Sequence, residues 1–347
     1  MEQVPNNIII SRTDSIGDVV LTLPVAAVLK KHFPHIKIGF LGRPYTRPVI
    51  EACKWVDEFI DLGDFMRSTV TVCGEAPEAI LHVFPVRDIA HRAKELEIPL
   101  RIGTWRRLYH LTTCNRLVRL GRRHSPLHEA QLNLELLTTF GIDTAFSTEE
   151  IGQLFGLEKL APLPEAFAGL LRKDVYNLVL HPKSQGSARE WGLDNFGRLI
   201  QLLDPARYRI FISGTAKERA QLQPLFDSAG DRVIDITGQL SLSQFIAFIA
   251  QSDGLVANST GPLHIAAALG KDAFGIYPAI RPMHPGRWAP LGRGAHAFAE
   301  NRSCNDCRHN AKGCHCIASI PASLIQQSID EAAGSVKKAA VITTKLQ

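Results

Sequence analysis

Short apolar runs alternate with amphipathic segments from the start of the chain. Asn7–Ser11 is a β-branched run that predicts a buried parallel strand, and Val19–Phe33 carries apolar residues at helical spacing. Ile36–Leu41 predicts the next strand and Pro44–Ala52 the next helix. This repetition of strand and helix predicts a parallel sheet covered by helices on both faces.

The same alternation restarts in the second half of the chain. Residues 143–175 lose the pattern and contain Pro162 and Pro164, so we place the linker between two domains there. The later strands are predicted at Tyr176–His181, Tyr208–Ser213, Val233–Ile236, Asp253–Ala257 and Ala273–Tyr277, and the helices at Leu193–Leu203, Lys217–Phe226, Leu242–Gln251 and Pro262–Leu269. Both halves therefore look like doubly wound α/β domains, which bind ligands at the carboxyl ends of their strands.

Composition and charge narrow the class of protein. The chain has 347 residues, of which 45% are hydrophobic and 21% charged, so we expect two folded domains rather than disorder. The net charge of +5 fits an acidic substrate or an anionic membrane face, and no nucleic-acid module accompanies it. No signal peptide and no apolar run of about 18 residues is present, so we expect a cytoplasmic protein.

A turn of small polar residues, Asn258–His264, joins a predicted strand to a predicted helix. The free N–H groups of a first helical turn attract anions, Gly261 allows close approach, and Ser259 and Thr260 add hydroxyl donors. The turn predicts a phosphate site, with a plain helix cap as the alternative. His264 lies one turn into the helix and is either a ligand or a packed core histidine.

Two further polar turns follow predicted strands in the same half. The loop of residues 181–191 contains two cations, Lys183 and Arg189, and another strand runs into Gly214 and Thr215. Two such loops at one cleft would hold a diphosphate, whereas a solvated basic loop is the alternative reading.

The first strand ends in the turn Arg12–Asp18. Asp18 lies at or near a helix start, where it serves either as a cap or as a general base, and Asp14 competes for both roles. Neither GxGxxG nor GxxxxGK[ST] occurs in this region, which disfavours a dehydrogenase or a P-loop kinase.

Four of the seven cysteines cluster as Cys304-x2-Cys307-x6-Cys314-x-Cys316. We expect no metal here, because the C-x-C end is unusual for tetrahedral zinc, and keep a structural zinc or iron site as the alternative.

Five segments of the chain resemble, in order, the motifs of glycosyltransferase family 9, the ADP-heptose:lipopolysaccharide heptosyltransferases. These segments are Ile8–Pro24, Arg101–Gly103, His128–Gly141, His181–Leu199 and Gly254–Gly270. The resemblance implies a GT-B architecture, in which two Rossmann-like doubly wound domains face each other across a cleft. It implies an acceptor-binding domain at residues 1–160, a nucleotide-sugar domain at 161–322, and a C-terminal helix near 323–340 that crosses back.

The resemblance also implies an inverting, metal-independent transfer of heptose from ADP-heptose, with no cofactor. The acceptor would be an acidic glycolipid of the lipopolysaccharide core, reached by peripheral contact with the inner face of the cytoplasmic membrane. Asp18 matches the family's proposed base, and Arg189 stands where lysine is usual. Ser259 stands where the family often has aspartate. The resemblance therefore specifies the donor sugar less firmly than it specifies the family.

The implied donor-binding residues are Lys183, Ser184, Ser187, Arg189, Gly214, Thr215, Ser259, Thr260, Gly261 and His264. The implied acceptor-binding residues are Arg12, Asp14, Arg101 and Arg106. The stretch Phe84–His128 carries seven more basic than acidic residues, so we add Arg107, Arg122 and Arg123 as candidates for an acidic acceptor or an anionic membrane face. A solvated charged surface is the alternative for any one arginine.

Three other readings stay open. A transferase of the same fold would use another nucleotide sugar or glycan acceptor, a GT-B nucleotide-sugar epimerase would use no acceptor, and a non-catalytic protein would only bind the nucleotide sugar.

Overall fold

The computed structural model describes residues 4–122, 125–280, 283–301 and 315–344, and the side chains as far as residue 334. The chain divides into two compact units, Met1–Leu160 and Ala161–Gln347. Each unit contains a six-stranded sheet.

All strand pairs of the first unit are parallel, in the order β3-β2-β1-β4-β5-β6. These strands are β1 (Asn7–Ser11), β2 (Lys37–Gly42), β3 (Glu58–Asp61), β4 (Ala79–His82), β5 (Leu100–Thr104) and β6 (Arg116–Val118). From β1 the chain adds β2 and β3 on one side, and β4, β5 and β6 then follow on the other side of β1. The carboxyl ends of β1 and β4 therefore form the switch point where doubly wound folds bind ligands.

The second unit repeats this order as β9-β8-β7-β10-β11-β12, again with parallel pairs. Its strands are β7 (Tyr176–His181), β8 (Tyr208–Ile212), β9 (Val233–Asp235), β10 (Gly254–Asn258), β11 (Asp272–Ile276) and β12 (Ala295–Phe298). The switch point lies between β7 and β10. The prediction of an α/β protein with two Rossmann-like doubly wound domains is confirmed.

Helices cover both sheets. The first unit contains α1 (Ile16–Val20), α2 (Leu23–His32), α3 (Arg47–Glu51), α4 (Leu62–Arg67), α5 (Arg87–Glu95), α6 (His110–Thr113), α7 (Glu129–Leu134) and α8 (Thr148–Ile151), with 3-10 turns at Pro44–Thr46 and Glu135–Phe140. The second contains α9 (Glu165–Ala168), α10 (Leu193–Leu202), α11 (Arg219–Ala229), α12 (Leu242–Gln251), α13 (Gly261–Ala268), α14 (Pro285–Trp288), α15 (His315–Ala318) and α16 (Ala322–Thr344), with a 3-10 turn at Gly230–Arg232.

The single helix predicted over Val19–Phe33 is wrong, because the structure has two helices, α1 and α2, separated at Leu21 and Thr22. Pro24 explains the break, since proline has no N–H to donate to the carbonyl of Val20 four residues earlier, but fits the first turn of a new helix. Because α1 is short, Asp18 lies in its first helical turn, directly after the loop that follows β1.

Burial explains why the central strands are so apolar. Ile8, Ile9 and Ile10 of β1 are fully buried, as expected for a parallel strand that is covered on both faces. Burying one such side chain stabilises the fold by about 1.5–3 kcal/mol. The second unit's core is anchored by Trp191, which is also fully buried and packs edge-on against Phe196 at 5.0 Å between ring centroids.

The first turns of α16 belong to the core of the second unit, where Ile325, Ile329 and Ala333 are buried. The predicted return of this helix to the first unit stays a prediction. Among the residues described, no helix has both the length and the apolar character needed to span a bilayer.

Candidate active site

Arg12 is the centre of a buried ionic cluster at the carboxyl end of β1. Its side chain is 2% exposed, and its guanidinium donates to Asp14 at 2.7 Å, to Asp18, and to Glu129 at 3.1 Å. Burial opposes the charge on Arg12, but Asp18, Asp14 and Glu129 together raise its pKa. Arg12 therefore stays cationic, and its contacts connect both aspartates of the β1 turn to α7.

A second arginine closes this cluster from the other side. Arg122 donates to Glu129, to Asn133 at 3.1 Å and to the main-chain oxygen of Val83 at 2.9 Å. The Asn133 amide in turn donates to the Leu21 carbonyl at 3.0 Å. We call the set Arg12, Asp14, Asp18, Arg122, Glu129 and Asn133 the Arg12 cluster.

Sequence reasoning missed Glu129 and Asn133. They lie four residues apart on α7 and therefore on one face of that helix, and both are almost fully buried. The sequence signal that could have identified these two residues is a carboxylate and an amide four positions apart on an otherwise apolar helix face.

Asp18 lies in the first turn of α1. Arg12 and Ser15 donate to its two carboxylate oxygens, and its side chain is 16% exposed. Within the described residues neither oxygen accepts from a main-chain N–H, so the carboxylate does not act as a helix cap. It is a fixed, partly accessible carboxylate, which is the geometry that a general base needs.

Asp14 is the second carboxylate of the turn, and its electrostatics differ. Burial raises the pKa of Asp14 to about 6, while Arg12 opposes the shift and Asp18 adds to it. A carboxyl group with a pKa near neutrality can exchange a proton at physiological pH, so Asp14 remains the rival base.

The other arginines that were predicted to bind the acceptor substrate lie in different environments. Arg101 donates to the main-chain oxygen of Thr113 at 2.7 Å and to that of Ile98, and within the described residues no contact joins it to the Arg12 cluster. Arg106 and Arg107 follow the end of β5 and are exposed. Arg123 lies outside the described residues.

In the second unit, Asn258 connects two of the predicted donor-binding turns. It is the last residue of β10 and is fully buried. Its side-chain oxygen accepts from the main-chain N–H of Trp191 at 2.8 Å, and its amide donates to the carbonyl of Pro182 at 2.8 Å. The two loops predicted to hold a diphosphate are therefore bonded to each other.

The loop of residues 181–191 is organised by Glu190, which sequence reasoning missed. Its carboxylate pairs with Lys183 and accepts from both the main-chain N–H and the hydroxyl of Ser184 at 3.0 Å. The Ser187 hydroxyl donates to the Ser184 carbonyl at 2.7 Å, and Arg189 is half-buried. Lys183 is thus held within the loop, with 16% of its side chain exposed.

The turn after β8 joins the same surface. Glu218 accepts from the main-chain N–H of Thr215 at 2.8 Å and from its hydroxyl at 2.9 Å, and the Gln185 amide donates to the same hydroxyl at 3.3 Å. His181 lies beside Ser213 at 3.0 Å, and burial lowers the pKa of His181 to about 4, against the opposing effect of Glu218. His181 is therefore neutral near pH 7.

The turn between β10 and α13 contains an unsatisfied hydroxyl. Thr260 is 6% exposed, and within the described residues its Oγ1 has no hydrogen-bond partner. It precedes Gly261, the first residue of α13, and His264 is buried one turn later. Ser259 is half-buried. A buried donor at a helix start fits an incoming anionic oxygen.

The cysteine cluster is only partly described. Cys304, Cys307 and Cys314 lie outside the described residues, and Cys316 is buried in the core of the second unit. Over the rest of the described chain, no group of three or more histidine, cysteine, aspartate or glutamate side chains is arranged to hold a metal.

Comparison with known proteins agrees with this architecture. A Haemophilus influenzae protein described as a glycosyltransferase is 26% identical over 298 residues, which is 82% of this chain and 86% of the relative. The solved family 9 glycosyltransferase of Veillonella parvula has a TM-score of 0.79 at 18% identity, covering 96% of this chain and 99% of that chain.

The E. coli heptosyltransferase WaaC, solved with ADP, has a TM-score of 0.70 at 18% identity and covers 94% of this chain and 99% of its own. The sequence model of glycosyltransferase family 9 (heptosyltransferase) matches residues 135–318, more than half of the chain. The chain therefore belongs to glycosyltransferase family 9 and is a glycosyltransferase.

Proposed function

We propose that this protein transfers heptose from ADP-heptose to an acidic glycolipid acceptor of the lipopolysaccharide core, with inversion at the anomeric carbon. The observation that carries the donor half of the proposal is the bond from Trp191 to Asn258, which joins two strand-end turns into one surface beside the Thr260 hydroxyl, which has no hydrogen-bond partner among the described residues. The acceptor half rests on the fixed carboxylate of Asp18.

The donor diphosphate would lie on the strand-end turns of the second unit. Thr260 and the first N–H groups of α13 supply hydrogen bonds, and Lys183 and Arg189 supply positive charge. Charge builds on the diphosphate as it leaves, so donors that are already oriented stabilise the transition state, each by about 3 kcal/mol. This arrangement requires no metal ion.

The acceptor reaction would use Asp18. Its carboxylate removes the proton from an acceptor hydroxyl, and that oxygen forms the new glycosidic bond from the face opposite the diphosphate. The bond from the anomeric carbon to the diphosphate oxygen breaks, and the nucleotide diphosphate leaves with the electron pair.

Support for heptose comes from the family and from the ADP in the WaaC structure. Ser259 stands where the family often has aspartate. A transferase with another sugar is therefore the second candidate, because a neutral hydroxyl and a carboxylate recognise sugar hydroxyls differently.

Incubation with a panel of nucleotide sugars separates the candidates, with thermal shift and product release as the measurements. We expect ADP-heptose to raise the melting temperature most and to release ADP when a lipopolysaccharide core acceptor is added. Turnover of a different nucleotide sugar would favour the second candidate. Conversion of the donor sugar without acceptor would show an epimerase, and binding without turnover would show a non-catalytic protein.

A further inference from the structure

The segment that follows β5 carries large apolar side chains that are exposed to solvent rather than packed in the core. Leu108 is 82% exposed, Leu111 is 53% exposed and Trp105 is 48% exposed. They follow one another over a short loop and the single turn of α6. A cluster of this kind on a folded domain typically marks an interaction surface.

Three exposed arginines accompany these apolar groups. Arg106, Arg107 and Arg119 are exposed, and among the described residues no carboxylate forms an ion pair with any of them. The Arg119 guanidinium lies over the Trp105 ring at 5.4 Å from its centroid. From residue 98 to residue 128 the sequence contains seven arginines and no aspartate or glutamate. The surface is therefore both apolar and strongly positive.

We propose that this surface docks the protein onto an anionic lipid bilayer. We name it the arginine–leucine face, and it consists of Trp105, Arg106, Arg107, Leu108, Leu111 and Arg119. Leucine side chains would enter the boundary between headgroups and acyl chains, tryptophan would lie at headgroup level, and arginine would bind lipid phosphate. Each arginine near such a surface adds about 1 kcal/mol, or about fivefold in binding.

Charge argues against a second copy of the chain as the occupant. In a symmetric dimer each arginine–leucine face would meet its own copy, and this would bring guanidinium groups together without a carboxylate of either face between them. An anionic bilayer supplies both the negative charge and the apolar layer.

The position of the face within the first unit deepens the proposed function. Trp105 directly follows Thr104, the last residue of β5, and the Arg12 cluster lies at the carboxyl end of β1 in the same parallel sheet. Docking would bring this edge of the sheet, and Asp18 with it, toward the bilayer in which a lipid-linked acceptor is anchored. This step rests on the proposed function, whereas lipid binding itself does not.

Flotation of the full chain with phosphatidylcholine vesicles, with and without phosphatidylglycerol, tests the proposal. We expect binding to the vesicles that contain phosphatidylglycerol, and weaker binding as salt rises. The double variant Leu108→Ser/Leu111→Ser and the double variant Arg106→Gln/Arg107→Gln should each lower binding about tenfold or more.

The matched controls are exposed residues elsewhere. Leu202 on α10 is 48% exposed, so Leu202→Ser controls for loss of a leucine, and Lys31→Gln/Lys173→Gln controls for loss of two surface charges. Both controls should bind vesicles as the wild type does.

Three results would overturn the proposal: no binding to either vesicle, equal binding to both, or unchanged binding of the face variants. A wild-type dimer that Leu108→Ser/Leu111→Ser dissociates would also overturn it, by identifying a second copy as the occupant. Vesicle binding needs no nucleotide sugar, so these failures leave the proposed transfer untouched. Failed transfer with intact vesicle binding would count against the proposed function alone.

Discussion

The main-chain N–H of Trp191 donates to the buried side-chain oxygen of Asn258 at 2.8 Å. Trp191 ends the loop that begins at His181, and Asn258 ends β10, so one amide joins the two turns at the switch point of the second sheet. The Trp191 indole also donates to the Ile320 carbonyl at 2.9 Å. These bonds tie both turns to the core of the second unit, so the groups that we propose to bind the diphosphate are held in place before a ligand arrives.

Asn258→Ala should weaken ADP binding by about tenfold, because it frees both turns, and should lower the free energy of unfolding by about 1–3 kcal/mol through the buried groups left unpaired. Asn177→Ala is the control. Asn177 is equally placed in the core, but it bonds Asp253 and Arg172 at the opposite, amino end of β7. Calorimetry should show weakened ADP binding for Asn258→Ala only, and equal effects of both variants would refute the role of the bond.

Asp18→Asn should lower the rate of transfer by about 10²–10⁴-fold and leave ADP binding unchanged, because a positioned base acts on the acceptor and not on the nucleotide. Asp14→Asn is the companion variant, since Asp14 shares the contact with Arg12. Steady-state rates and ADP affinity are measured for both. If Asp14→Asn abolishes turnover while Asp18→Asn retains it, and wild-type activity falls below pH about 6, the base is Asp14.

His82 should make the first unit sensitive to acid. It is fully buried on β4, its ring nitrogens have no hydrogen-bond partner within the described residues, and burial lowers its pKa to about 3. Below the unfolded pKa of about 6.5 the unfolded chain binds a proton that the native His82 does not, so stability falls as pH falls. From pH 7 to pH 5 this single group should cost about 2 kcal/mol.

His82→Leu should remove that loss, and His35→Leu, a change at an exposed histidine, should not. Hydrogen exchange of β1 and β4 peptides at both pH values measures the difference. The raised pKa of Asp14 works in the opposite sense, because its protonation in the native state adds stability as pH falls through about 6. Comparing each variant with the wild type at the same pH cancels this second effect. An unchanged pH slope in His82→Leu would contradict the assignment.

Chelation should leave the transfer rate unchanged, because in the proposed mechanism Lys183, Arg189 and the start of α13 stabilise the charge on the leaving diphosphate. The measurement is the rate before and after dialysis against a strong chelator, together with the metal content of the protein. The melting temperature before and after dialysis tests separately whether the four-cysteine cluster holds a structural metal. A lower melting temperature with a normal rate would show a structural metal, whereas a lost rate that added magnesium restores would show that transfer needs a metal.

The sequence alone determined the features that depend on local pattern. Apolar runs such as Ile8–Ile10 and helical spacing in the segments between them are set by neighbours along the chain, and they sufficed for two doubly wound domains. The turn chemistry of Asp18 and of Thr260–Gly261 is equally local, because a helix start and its polar residues are contiguous.

Only the tertiary structure decided which charges meet. Arg12 and Glu129 are separated by 117 positions, and no periodicity links them, yet burial and parallel pairing bring α7 beside the β1 turn. The same long-range packing directs Arg101 to main-chain carbonyls and leaves Arg106 and Arg107 in solvent, although all three look alike in sequence. Side-chain environment depends on distant segments, and so does the raised pKa of Asp14, because desolvation exists only once the chain has folded.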